Sequence, residues 1–294
     1  MNITRLEGLR CKLGEGPVWD VAEQALYGVD VLGRQLWRHD PASGSFQTWA
    51  FKDQLGSFAL RQQGGALLAL SSGLTLFDFH TGEQRLLTDV CAHDAQLQLN
   101  DGKTDALGRF LVGSIHTLAQ QPAAALFSVG ADLSVRTLDT GFIISNGPCF
   151  SPDGGTFYVA DSVRHEIYAY DYTLATGTLG RRRLFANTAS LGGIPDGATV
   201  DAEGAVWVAL CGAGQVLRFW PDGSLALTLP MPTPLVSSVV FGGPQLDRLF
   251  VTSIDAAAAA AEIEMAAGNA APSDENSGAI FVVDGLGVQG VAGV

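Results

Sequence analysis

Apolar and polar residues alternate in short runs along the whole chain, and Gly, Asp and Pro cut the runs off. Six of these runs are LYGV (26–29), LLAL (67–70), FLVG (110–113), FYVA (157–160), VWVA (206–209) and LFVT (249–252). Alternation over so few residues between turn formers is the mark of a β-strand. Their second residues, Tyr27, Leu68, Leu111, Tyr158, Trp207 and Phe250, are separated by 41, 43, 47, 49 and 43 positions. A further alternating run follows each: QLWRHD, LTLFDF, ALFSVG, EIYAYD, QVLRFW and AIFVVD. Two such runs in succession predict an antiparallel hairpin. The turns DPASG, SPDGG, DAEG and WPDG supply the glycine that a tight turn requires.

Repeats of roughly 40 to 50 residues, each a small antiparallel sheet, predict an all-β fold, a six-bladed β-propeller that takes up residues 1–294 as a single domain. LGVQGV near the end and NITRLE near the start are expected to pair in one sheet and close the ring. Residues 255–278, DAAAAAAEIEMAAGNAAPSDENSG, interrupt the last hairpin. Their first half is rich in helix formers, but a helix this short is marginal without packing, so a short helix and an irregular insertion both remain open. LAQQPAAA (118–125) widens the third unit's hairpin between the same pair of strands, so both insertions are expected on one face.

Composition narrows the function. The chain has 47% hydrophobic and 16% charged residues, which excludes a disordered protein. With 17 Lys and Arg against 30 Asp and Glu the net charge is −13, so nucleic acid is not an expected partner and a neutral or cationic small ligand is. The one basic run, Arg181-Arg182-Arg183, is expected in a solvated turn at a blade edge. Cys11, Cys91, Cys149 and Cys211 lie too far apart for a zinc cluster or a redox pair and are expected as small buried hydrophobes. No signal-like apolar segment opens the chain and no apolar run is long enough to span a membrane, so the expected location is cytoplasmic, with no membrane partner.

The repeat also sets a register for candidate chemistry. Glu15 lies 12 positions before Tyr27, Asn100 lies 11 before Leu111, Asn146 lies 12 before Tyr158, and Asp196 lies 11 before Trp207. The other two units carry Gly56-Ser57 and Ser237-Ser238, small residues expected to leave room. First strands of propeller blades line the central channel, so these positions converge on the axis. Glu15, Asn146 and Asp196 offer only oxygen donors, which suits a hard divalent cation. Asn-Gly and Asp-Gly also occur as plain turn dipeptides; the shared phase argues for a site.

At these residues the chain resembles the senescence marker protein, gluconolactonase and luciferin-regenerating family. The resemblance runs through LGEGPVWD, NDGKTDALGRFLVGS, ISNGPCFSPDGGTFYVADS, IPDGATVDAEGAVWVA, VVFGGPQLDRLFVTS and GAIFVVDGLGVQG, nearly the whole chain. It implies a propeller with one divalent metal in its central channel that hydrolyses sugar-acid lactones to the free acids. The implied metal ligands are Glu15, Asn146 and Asp196, with Asn100 touching substrate. Many relatives place arginine two residues before that asparagine; here Gln98 stands there, able to bond a hydroxyl but not to offer a charged fork. The donor set puts calcium first and leaves zinc, manganese, magnesium and iron open.

In the expected reaction water attacks the lactone carbonyl. Asp196 is the candidate general base, and activation of the water by the cation itself is the rival. His116, in GSIHT, is a candidate substrate contact from the rim, and Asp161, in VADS, a candidate for orienting a water beside the metal. No G-x-S-x-G elbow supports a serine hydrolase. Two other readings stay open: a calcium-binding or protein-binding propeller without turnover, and a hydrolase of another ester, such as a non-sugar lactone or an organophosphate. The number of subunits is not legible.

Overall fold

The computed structural model describes residues 1–262 and 275–292. Six antiparallel sheets of four strands form its framework. Blades 1 to 5 each use four consecutive strands, and their inner strands are Gly14–Asp20, Leu55–Leu60, Leu97–Thr104, Ser145–Phe150 and Ile194–Val200. Blade 6 starts from Val236–Gly242. Each inner strand packs against the next, and the last against the first, so the six enclose a central axis. All six expected runs fall within second strands, for example Ala25–Asp30 and Val206–Cys211.

The ring closes differently from the expectation. Asn2–Arg5 pairs with Phe281–Asp284 over four positions and supplies the outer strand of blade 6. LGVQGV instead crosses the far face between blades 5 and 6, where Gly290 bridges to Asp201 and its N–H donates to the Leu246 carbonyl at 2.7 Å. The physical reason is that FVVD is a regular strand of blade 6 that presents a free edge. The tail after it is glycine-rich and has no such ladder to offer.

Side chains on alternating positions fill the space between blades. Between blades 3 and 4, Phe150, Phe157, Tyr170 and Tyr172 form one aromatic cluster, with centroids 5.1 to 6.3 Å apart. Each such ring contributes about 1.5–3 kcal/mol by leaving water. The basic triplet lies in an outer strand, Thr178–Asn187, not in a turn. Arg182 lies over the Tyr168 ring at 3.8 Å, which gives its charge a partner and its stem a surface to cover. Cys11, Cys91 and Cys149 are buried as expected, while Cys211 is half-buried.

Among the described residues no helix is long and apolar enough to cross a membrane. The helix Ala256–Glu262 opens the insertion of blade 6, its Ala258 N–H capped by the Asp255 carboxylate at 2.9 Å. The remainder of that expectation, residues 263–274, lies outside the described residues. This insertion and the one in blade 3 both join second to third strands. Gly14, first in its inner strand, pairs with Asp30, last in its second strand, so such connections lie at the end where the inner strands begin. That end, the channel mouth, also carries the candidate site.

Candidate metal and substrate site

Every inner strand breaks its pairing at one place: between Glu15 and Val18, Leu55 and Ser57, Leu99 and Gly102, Asn146 and Cys149, Pro195 and Ala198, and Val236 and Val239. A bulge of this kind releases residues from the ladder and re-aims their side chains. Glu15 and Asn146 are the last paired residues before their bulges, whereas Asn100 and Asp196 are the first unpaired ones. Each polar residue nevertheless stands three positions before the ladder partner of its reference residue, Val18, Lys103, Cys149 or Thr199. The alternation between 12 and 11 in the sequence register therefore comes from the connection into the second strand, one residue longer in blades 1 and 4.

Glu15 and Asp196, both buried, stand close enough at the channel mouth for the Asp196 charge to act on Glu15. Loss of water raises the pKa of each well above the ordinary carboxylate range, and the Asp101 charge adds to it; for Glu15 the Asp196 charge adds more. Glu15 also accepts from the Gly16 N–H at 3.0 Å. The buried Asn146 accepts from Asn100 Nδ2 through its Oδ1 at 2.8 Å and donates through its Nδ2 to Ser162 Oγ at 3.0 Å. Asn100 Nδ2 spends its other proton on the Ser145 carbonyl at 2.9 Å.

The small residues of blades 2 and 6 serve close approach instead of leaving room. A Cβ on Gly56 would stand 2.8 Å from the Asn100 Cα, and one on Gly197 would overlap Ser238. At Gly147 the backbone is left-handed, with φ +58°, and an added Cβ would lie 2.5 Å from the Asp196 carbonyl oxygen. The glycine after Asn146 therefore lets one donor-bearing strand press against the next.

Other expected residues are placed around this cluster. Gln98 is half-buried at the mouth, with its Nε2 3.4 Å from Gln54 Oε1. Asp161 is fully buried and turned to the strand start: it accepts from the Ile143 N–H at 3.0 Å and pairs with Arg164 at 2.7 Å. Those bonds occupy it in holding the segment that leads into Asn146. His116 is buried beside the mouth, not exposed on the rim. It stands opposite Leu97 in the ladder and shares that residue's interblade face, and among the described residues neither ring nitrogen has a hydrogen-bond partner.

Two further residues belong to the cluster. Asp101 accepts from the N–H groups of Gly102 at 2.8 Å and Gly147 at 2.9 Å, which ties blade 3 to blade 4. Burial pushes its pKa up to about 6 against those two bonds and the Lys103 charge, and burial lowers that of Lys103. Ser162 passes a hydrogen bond from Asn146 on to the Pro195 carbonyl at 2.7 Å. Their signals were adjacent to residues already singled out, Asp101 beside Asn100 and Ser162 beside Asp161, but no count along one strand reveals a bond between blades.

Among the described residues, no group of three or more His, Cys, Asp or Glu side chains is placed to hold a metal ion. A cation here would need a carboxamide oxygen as well as Glu15 and Asp196. The residues fit that requirement: two buried carboxyls of like charge face each other, and the Asn146 nitrogen is turned away to Ser162. A divalent ion held by both carboxyls would relieve the repulsion between them.

The SMP-30/gluconolactonase/LRE-like region matches residues 13–255. A 6-deoxy-6-sulfogluconolactonase of Pseudomonas putida is 38% identical over 242 residues, 82% of this chain and 83% of the relative. A pentonolactonase of Haloferax volcanii is 33% identical over 286 residues, 97% and 94% of the two chains. The solved structure of a calcium-binding protein, regucalcin, from Agrobacterium tumefaciens superposes with a TM-score of 0.86 at 28% identity, covering 97% of this chain and 94% of the other.

Proposed function

The chain belongs to the SMP-30/gluconolactonase/LRE-like family, and from that premise we propose that it hydrolyses a sugar-acid lactone with the help of one divalent cation. The observation that carries this reading is the pair of buried carboxyls, Glu15 and Asp196, near each other at the channel mouth with the Asn146 carboxamide oxygen on an adjoining strand. Such a donor set is costly to bury unless an ion or a reaction uses it. The lactonase names of two relatives support the reaction class.

Glu15, Asn146 and Asp196 would hold the cation, calcium before the other hard divalent ions. When bound, it would polarise the lactone carbonyl and stabilise negative charge on its oxygen. Asp196 takes a proton from the attacking water at a carboxylate oxygen. The new C–O bond forms at the carbonyl carbon, the ring C–O bond breaks, and the ring oxygen leaves as a hydroxyl by taking the proton that Asp196 had accepted. Asn100 and Gln98 orient substrate hydroxyls at the mouth. The only group Asn100 can still offer is its Oδ1 acceptor, because both Nδ2 protons are in use. His116 lies behind them with both ring nitrogens buried, so it would reach a substrate hydroxyl only if the mouth shifted to expose it. Asp161 acts on the site through the strand start that it holds.

Asp196→Asn is expected to lower acid release from an aldonolactone by about 10² or more while the protein stays folded. Near-normal turnover by that variant in a metal-replete sample would remove Asp196 from the role. The likeness to a calcium-binding regucalcin favours a second reading, a binding propeller without turnover. Calcium affinity with no acid release from any pentono- or hexonolactone would select it.

A further inference from the structure

We propose that Ser162 is a positioning residue that decides which way the Asn146 carboxamide faces, so that the oxygen and not the NH2 group is presented to a divalent cation. The inference rests on the cation reading above. The two ends of a carboxamide have nearly the same shape, so packing alone does not choose between them; hydrogen bonding does.

Ser162 is fully buried and has one hydroxyl proton. It donates that proton to the carbonyl of Pro195, which is buried and has no donor of its own, at 2.7 Å. Toward Asn146 the hydroxyl oxygen can then only accept, and Asn146 Nδ2 stands there at 3.0 Å. The other end is fixed by the same logic: Asn100 Nδ2, already donating to the Ser145 carbonyl, aims its second proton at Asn146 Oδ1. Turning the amide over would set donor against donor at Asn100 and acceptor against acceptor at Ser162. The chain of bonds also links two ligand strands, because Pro195 immediately precedes Asp196.

Removing the Ser162 hydroxyl takes away one of the two contacts that orient the amide and leaves its NH2 group without a buried acceptor. The test is a double-mutant cycle of Ser162→Ala and Asn146→Asp, read by calcium titration calorimetry on chelator-stripped protein, with thermal midpoints measured alongside. Ser162→Ala is expected to weaken calcium binding by about 10- to 100-fold when residue 146 is asparagine. With aspartate at 146 the loss is expected to shrink to about threefold or less, because a carboxylate has no nitrogen to turn inward. Ser162→Cys repeats the deletion with little change in volume. An equal loss in both backgrounds would mean that Ser162 acts only as packing, and an unchanged affinity in the first background would equally overturn the proposal. If the unmutated protein binds no divalent ion, the proposal and the cation reading fail together. Binding without lactone turnover would sink the reaction and leave the role of Ser162 standing.

Discussion

Asp101 accepts two backbone N–H bonds that favour its charged form, yet burial still pushes its pKa up to about 6. An unfolded aspartate titrates near 3.9. The folded state therefore binds the proton more tightly, and the stability this group contributes is present below about pH 4 and is lost as pH rises through about 6. Glu15 and Asp196, raised for the same reason, act in the same direction while no cation compensates them. In metal-stripped protein, Asp101→Asn is expected to be less stabilising at pH 4 than at pH 7, so thermal midpoints of variant and parent converge or cross as pH falls. Parallel midpoint curves across that window would show that Asp101 is not the buried, destabilised group its surroundings imply. Asn at this position keeps an oxygen for the Gly147 N–H but sets its NH2 group against the Gly102 N–H, a cost that does not change with pH, so the pH dependence of the comparison reports the charge.

At the scale of elements, periodicity carried the prediction where it was strong and missed where contacts were long-range. The second strands were legible because each alternates between turn formers, and the site was legible because the same polar position recurs in phase. What the spacing hid was the bulge: Glu15 and Asp196 differ by one place in the ladder, and only the pairing shows why both still reach the axis. Ser162 and Asp101 were not legible because their partners, Pro195 and Gly147, belong to the next blade. Ring closure was misassigned to LGVQGV because a terminal strand can pair with any free edge, and the edge it takes is that of Phe281–Asp284. Ile3 packs into the blade 6 core from that outer strand. Deleting residues 1–5 is expected to lower the thermal midpoint by about 5 °C or more and to promote self-association through the bared edge. Light scattering during the melt checks it; an unchanged midpoint would show that blade 6 is complete with three strands.

For the whole molecule, the ring turns local repeats into one site. Each blade brings its bulge to the same end of the channel, and the chain as a whole, at net charge −13, favours a cation there over an anion. The neutral Gln98 at the mouth, beside Gln54, is suited to hydroxyl groups of an uncharged lactone ring. The account stands most directly on acid release measured with a pH indicator. Chelator-stripped protein would be offered pentono- and hexonolactones, with calcium, magnesium, manganese, zinc or iron(II) restored one at a time. The account predicts little release without a cation and at least a tenfold gain with one of them on at least one lactone. Equal turnover by stripped and restored protein, or none on any of these lactones, would contradict it.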